Sequence, residues 1–449
     1  MTFISCLTFL NGNTMSLKTD HPLNQLSGHQ PNQPTLLIGS PGSAKNALLT
    51  QFMFTEFSTN AHLYYVGSMP SEQLDYFIDD QHNLIDLDHA DQSYRFNPID
   101  WKSITDIADA VRIAKLLHLN LGLGSSNIHD QEGGFYYSVI VDYIAAIIWY
   151  LRTVTEKNAS QQLSVDVCTI PHLIEFTKQG YERILSVLAS IPRFAQFLQH
   201  LLDAVGGNKE IGQIIGRLAS VEICFTMWGT PGLYWILAPG NPIVNGFDFT
   251  RSEEPLLPET LLVRSQAKDL KHKATLALYT DFICHTLLRN HPGDSHRAVV
   301  IDSYQSFEYP YLDTVIATGR GFRIHLYVAF DYVGPGARLS AYKSRIEFTT
   351  SCFGTILVGR QLLPEEAEFI ASVPTLRGTL TPATLQNLNY GEFAGWLGTG
   401  WNEGHPIRGY EPLFVGYAPL SEESPVTDAM LEHVIAIQNQ IQSLFTVGN

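Results

Sequence analysis

One stretch constrains this chain more than any other: Leu36 to Leu49, reading Leu-Leu-Ile-Gly-Ser-Pro-Gly-Ser-Ala-Lys-Asn-Ala-Leu-Leu. A short apolar strand runs into a loop of small residues, a lysine and the apolar start of a helix. This order is the phosphate-binding loop pattern G-x-x-x-x-G-K-[ST]. In that pattern main-chain N–H groups wrap phosphate oxygens, the lysine neutralises them, and the hydroxyl residue holds Mg²⁺. Gly39, Ser40, Pro41, Gly42, Ser43, Ala44, Lys45 and Asn46 are therefore the candidate nucleotide-binding residues. Two of them depart from the pattern, since Ala44 replaces the second glycine and Asn46 the hydroxyl residue. If position 44 requires a positive φ, alanine costs about 1–2 kcal/mol where glycine costs almost nothing. Asn46 offers only a neutral amide oxygen to a cation that prefers carboxylate, phosphate or water. Weakened nucleotide binding is the expectation. The plain alternative is an ordinary strand-to-helix turn.

At 449 residues the chain has room for two or more domains, and 45% hydrophobic against 16% charged residues implies buried cores rather than disorder. Lys and Arg number 28 against 44 Asp and Glu, a formal charge of −16. That balance excludes a protein that coats nucleic acid by bulk electrostatics and leaves only a local basic channel. The five cysteines are scattered without a C-x-x-C pair, which points away from a disulfide framework and a zinc site and towards a reducing compartment. Val139–Leu151 is apolar but short and interrupted by Asp142, so it reads as a buried helix rather than a membrane span.

Residues 1–34 read as a lead-in. After the loop, Asn46–Phe57 has helical spacing, His62–Gly67 is β-prone and Asn83–Leu87 predicts a further strand. From Trp101 to about Leu218 the period is helical, over Ile104–Leu119, Phe135–Arg152, Thr169–Ser190, Arg193–Val205 and Lys209–Ser220. Strand character returns at Gly232–Leu237 and Glu259–Val263, and Lys268–Arg289 predicts a helix. That helix leads into Arg297-Ala298-Val299-Val300-Ile301-Asp302, an apolar strand ending in an acid. Such an ending places a carboxylate beside the Mg²⁺ of P-loop ATPases, and the next residue is often the Glu that activates water. Here it is Ser303, and the plain alternative for Asp302 is a helix N-cap. A helix over Tyr309–Arg320, strands at Ile324–Phe330 and within Arg345–Gly359, a helix at Pro364–Ser372, an apolar stretch at Asn387–Leu397 and a last helix at Asp428–Leu444 complete the reading.

Four further signals stand in order with the loop and the acidic strand: Phe96-Asn97-Pro98-Ile99, the apolar and aromatic Phe135–Leu151, Thr318-Gly319-Arg320-Gly321-Phe322-Arg323-Ile324, and Leu388-Asn389-Tyr390-Gly391-Glu392-Phe393. Together, from about Thr35 to Leu397, they resemble the coupling proteins of type IV secretion and conjugation, the TraG/TraD-like branch of the HerA/FtsK motor ATPases. The resemblance implies an α/β fold, a P-loop NTPase (RecA/HerA-like) with a central β-sheet flanked by helices and an inserted all-α domain. It assigns 35–100 and 226–449 to the ATPase-like domain and 101–225 to the insert. Lys45 and Asp302 take the catalytic places, Asn46 and Asp302 the metal side. Asp331 stands where the family has a glutamine that senses the γ-phosphate, and Arg320 stands where a finger would complete a neighbour's nucleotide site, with a surface or structural salt bridge as its alternative.

The departures at Ala44, Asn46, Ser303 and Asp331 fall on chemically active positions. The resemblance therefore implies a subunit that binds ATP and Mg²⁺ weakly or not at all, and an ATPase fold with impaired catalysis. Its place would be the recruitment of a substrate or partner in a secretion or conjugation-type assembly, with protein partners, DNA as a further partner class, and a homo-oligomer that is hexameric in the resembling family. The expected location is cytoplasmic, peripheral to the inner membrane through partners. The competing reading is an active ring ATPase that translocates DNA or protein. For the aromatic run Phe135, Tyr136, Tyr137 and Trp149, two roles stay open, partner contact and packing of the insert's own core.

Overall fold

The structure is a computed structural model. It describes residues 6–8, 14–16, 34–40, 43–59, 61–77, 84–123, 134–163, 165–189, 211–238, 243–244, 247–248, 257–266, 269–289, 296–302, 307–330, 353–372, 380–389, 391–397, 400–401, 407–408 and 425–446. In chain order the principal elements are β1 (Thr35–Ile38), α1 (Lys45–Ser58), β2 (His62–Gly67), β3 (Leu84–Asp86), α2 (Ile107–Asn120), α3 (Phe135–Ser160), α4 (Ile170–Thr177), α5 (Tyr181–Ala189), α6 (Ile211–Trp228) and α7 (Pro231–Leu237). They continue with β4 (Thr260–Arg264), α8 (Leu270–Arg289), β5 (Arg297–Ile301), α9 (Leu312–Gly319), β6 (Ile324–Phe330), β7 (Thr355–Gly359), α10 (Pro364–Ser372), α11 (Pro382–Asn387), β8 (Glu392–Leu397) and α12 (Asp428–Thr446). The strands fall before and after the run of helices α2–α7, with further helices between several of them.

The chain forms two compact units, one of Met1–Ala61, Asp294–Val300 and Ile316–Val415, the other of His62–Gly293, Ile301–Val315 and Gly416–Asn449. In the first unit, β1 lies between β6 and β7 and runs parallel to both, in register Tyr327↔Thr35 and Thr355↔Thr35. On the far side β7 pairs antiparallel with β8, which pairs in turn with Gly400–Trp401 and Ile407–Arg408. β1 is buried along its whole length, which explains why it reads as an unbroken apolar run rather than an alternating one. In the second unit, β4 lies between β2 and β3, parallel to both. Its helices bury an extensive core: α3 packs on α2, α4, α5 and α6, and α12 packs on α4 and α7.

Local chemistry sets the helix ends. Asp106 caps α2 with a capping box, its side chain accepting from the Asp109 amide. Thr169 and Thr230 cap α4 and α7, each followed closely by a proline that suits a first helical turn. The cap on α7 explains a correction. Gly232–Leu237 is not a strand but part of a helix, because Thr230 accepts a bond from the Leu233 amide and Pro231 presets the turn. Likewise Thr169–Ser190 is two helices rather than one, broken where Gly180 takes φ +80°. The predicted helix Arg193–Val205 lies outside the described residues.

α3 runs past its predicted end at Arg152 to Ser160. It is long and apolar enough, by length and composition, to cross a membrane, yet 67% of its apolar window is buried inside the protein, as in a core helix. Tyr137 and Trp149 are buried, Tyr137 edge-on to His118 at 4.7 Å, so these two aromatic residues pack the core. Phe96-Asn97-Pro98 is buried structure too: the Asn97 amide donates to the Cys168 carbonyl at 2.8 Å and the Tyr279 hydroxyl to the Phe96 carbonyl at 2.7 Å.

Candidate functional site

The predicted site residues fall into two groups, one in each unit. In the first unit, β1 delivers Gly39 and Ser40, and α1 starts at Lys45. The Gly39 amide donates to the Phe330 carbonyl at 3.1 Å and the Ser40 amide to the Arg360 carbonyl at 3.3 Å, so the strands on either side hold the loop's entrance. Ser43 closes back on Ser40 through a 3.0 Å amide-to-carbonyl bond. Ala44 sits at φ 65°, ψ 21°, in the left-handed region, and its carbonyl accepts the first α1 bond from Leu48. Position 44 thus requires the backbone that the motif's glycine supplies freely, and the chain adopts it with a side chain in place. Ala44→Gly is expected to raise stability by about 1 kcal/mol, the released strain partly offset by a freer unfolded chain. Chemical denaturation measures it.

Lys45 is 5% exposed at the head of α1, and Asn46, next on the same helix, is half-buried. A cationic side chain beside the amides of a helix N-terminus is the element of an anion site that the loop retains. Ser43 is 1% exposed, and its hydroxyl has no hydrogen-bond partner among the described residues. It is folded over two glycines: a Cβ on Gly39 would meet its Oγ at 2.3 Å and one on Gly359 its Cβ at 3.0 Å. An orphaned buried hydroxyl in this loop fits a site that accepts a hydrogen-bonding anion. Ser40 faces elsewhere, its hydroxyl lying 3.2 Å from Glu366 Oε2 and 3.4 Å from Gln361 Oε1 while accepting from the Leu362 amide.

Glu366 and Gln361 are residues the sequence reading did not single out. The only signal was Pro364-Glu365-Glu366 at a helix start. Burial pushes the Glu366 carboxyl up from its ordinary range, against the hydrogen bonds from Ser40 and the Leu363 amide. Pro41, Gly42, Ser303 and Asp331 lie outside the described residues. Arg320 lies away from this chain's own loop, since it precedes the start of β6, and with β6 parallel to β1 that end of the sheet is opposite the one where Gly39 leaves β1; a finger for a neighbour's site does not need it there. The same remote end holds Glu56, on which His325 Nδ1 and the Tyr327 hydroxyl both converge at 2.5 Å.

In the second unit Asp302 follows β5 directly, and its amide donates to the Val66 carbonyl of β2 at 2.8 Å. Its side chain is 0% exposed. Oδ2 accepts from the Tyr65 hydroxyl at 3.0 Å and from the Ser68 amide at 3.4 Å. Burial, then the Asp302 charge, pushes the Tyr65 phenol well above its ordinary range, so it remains a neutral donor. Mg²⁺ demands near-octahedral oxygen geometry and keeps several waters. An enclosed carboxylate already bonded to a phenol and an amide does not fit that demand.

Beside it, Arg264 is 2% exposed between two acids, its Nε 3.4 Å from Asp86 and its Nη2 3.4 Å from Asp88. Asp88 also accepts from the Ser265 hydroxyl and the Gln266 amide. Among the described residues no group of three or more His, Cys, Asp or Glu could hold a metal ion.

No protein-family model matches the chain, and the search of curated proteins finds no match. Solved structures do match its fold. The bacterial conjugative coupling protein TrwB, in a trigonal form with sulphate, aligns at TM-score 0.55 and 13% identity over 90% of this chain and 89% of that one. TrwB in complex with ADP and Mg²⁺ gives TM-score 0.55 and 13% identity over 91% and 90%. VirB4 of Thermoanaerobacter pseudethanolicus gives TM-score 0.50 and 11% identity over 91% and 97%.

Proposed function

We propose, for a chain with the fold of the TrwB and VirB4 ATPases, the role of a coupling-protein-like P-loop subunit. It holds nucleotide weakly, turns it over negligibly, and recruits a substrate or protein partner within a type IV secretion or conjugation-type assembly. Residues 101–225 act as the inserted helical domain that such recruitment uses, and partners place the protein at the cytoplasmic side of the inner membrane. DNA is a further partner class, and assembly into a ring follows the family.

One observation carries this reading: the loop keeps the form of an anion cradle while the acidic strand end is withdrawn from metal chemistry. Ala44 holds the left-handed backbone, Lys45 heads α1, and the hydroxyl of Ser43 is buried without a partner among the described residues. Asp302, by contrast, is enclosed with Tyr65. Within this chain Lys45 and the α1 amides hold phosphate oxygens, and Asn46 adds a neutral amide beside them.

Calorimetric titration with ATP tests it. Binding is expected to be weak and to be lost in Lys45→Ala, by about tenfold or more for removal of a charged hydrogen-bond donor. ATP affinity unchanged by Lys45→Ala contradicts the assignment of the loop.

A further inference from the structure

The end of β2 and the end of β5 are built around one contact. Tyr65 and Asp302 are both 0% exposed, and the phenol donates to Asp302 Oδ2 at 3.0 Å. The phenol oxygen in turn accepts from the Met69 amide at 2.7 Å, and the Ser68 amide reaches the same carboxylate oxygen at 3.4 Å. The turn after β2 therefore wraps the pair with two of its own amides. Gly67 makes the approach sterically feasible, since a Cβ there would stand 2.5 Å from Asp302 Cβ and 2.5 Å from the Tyr65 oxygen. Any other residue at position 67 forces the strands or the pair apart. Tyr65 and Gly67 of β2 and Ser68 and Met69 of the turn after it thus serve a carboxylate that lies more than two hundred positions away in sequence.

A cation site at this carboxylate needs the opposite arrangement: an oxygen open to water and ligands that leave room for a hydrated ion. We propose that the Tyr65 hydroxyl takes the cation's place as the partner of Asp302. The carboxylate is then a structural acceptor that holds the turn after β2, and nucleotide binding by this chain does not draw on a divalent ion held there. Only that last consequence rests on the nucleotide reading; the pairing itself stands on the second unit alone.

Two measurements on the full-length chain, neither involving nucleotide, test the pairing. The first is a double-mutant cycle by thermal unfolding with Tyr65→Phe, Asp302→Asn and the double variant, all close in volume to the native residues. Each single change is expected to lower the midpoint by about 2–4 °C, and the double variant no further than the larger single one. Additive shifts overturn the proposal. The second follows Mn²⁺ by electron paramagnetic resonance, as a probe of divalent sites. Asp302→Asn is expected to leave the number and affinity of bound Mn²⁺ unchanged, whereas a site present in the native chain and lost in this variant overturns it. Should Asp302→Asn fail to fold, thermal unfolding of the native chain against rising Mn²⁺ serves in its place. No rise in midpoint is expected, and a saturable rise that Tyr65→Phe strengthens overturns the proposal. Failure of Lys45-dependent ATP binding would leave all these results intact.

Discussion

Asp109→Ala is expected to lower the unfolding free energy by an amount near the lower end of about 3–5 kcal/mol, the cost of removing one partner from a buried charge network. Asp109 is the hub of the second unit's polar core. Arg289 Nη2 donates to both of its oxygens at 2.9 Å, His285 Nε2 lies 3.1 Å away, and the Thr105 amide and hydroxyl reach Oδ2 at 2.9 and 3.2 Å. Arg112 stands 3.6 Å away and pairs also with Asp281 on α8. The same residue belongs to the capping box that starts α2, so its loss removes a cap as well as a charge. Arg289 keeps a side chain 35% exposed and can recruit water, which is why the lower end applies.

The same site gives a sign for the pH dependence. Burial alone would push the Asp109 carboxyl up, but bonds from His285, the Thr105 amide and Arg289 outweigh it and hold the group below the ordinary carboxylate range. A depressed folded value contributes stability that is complete above the unfolded value of about 4 and is lost as pH falls below it. His172 acts at a higher window. Burial lowers it to about 4, so the stability it contributes above about 6.5 drains away as pH falls towards 4. Its Nε2 donates to Gln440 Oε1 of α12 at 2.7 Å, a bond that protonation leaves in place, so the loss comes from charging a buried ring. Urea denaturation at stepped pH checks both windows, and the gap between native protein and Asp109→Ala is expected to narrow below about pH 4.

Much of this architecture was legible because it is local. The loop and α1, the strand Ile324–Phe330 and the helix Pro364–Ser372 coincide with unbroken apolar runs, helical spacing and turn residues. The positive φ that the motif raised as a condition at position 44 is the backbone Ala44 adopts. Where the reading erred, two signals competed: Gly232–Leu237 is apolar enough for a strand, and only the cap at Thr230 with Pro231 marks it as helix. α3 outran its predicted end because Thr153, Thr155 and their polar neighbours break the apolar period without breaking the helix.

The candidate site was half legible. Lys45 and Asp302 came from motif order, but the partners that decide what they do lie far along the chain. Tyr65 read as one residue of an apolar strand, and its phenol meets a carboxylate 237 positions away. Glu366 meets Ser40 across 326 positions. Side-chain hydrogen bonds at such separations leave no periodicity for a sequence to display.

The largest effect concerns chemistry rather than stability. Phosphoryl-transfer enzymes such as kinases, with their parts in place, turn over about 1–100 times per second, and losing a positioned base costs about 10²–10⁴ in rate. Here position 303 is serine, and the carboxylate before it is bonded to Tyr65. Glu308, the next carboxylate along, is exposed, and both its main-chain N–H and its carbonyl are pinned by the Asn120 side chain. The most direct measurement is steady-state ATP hydrolysis by the purified full-length chain with Mg²⁺, beside Lys45→Ala. Turnover far below about one per second is expected, with the variant no slower than the native protein; turnover above about one per second that Lys45→Ala abolishes contradicts the proposed role.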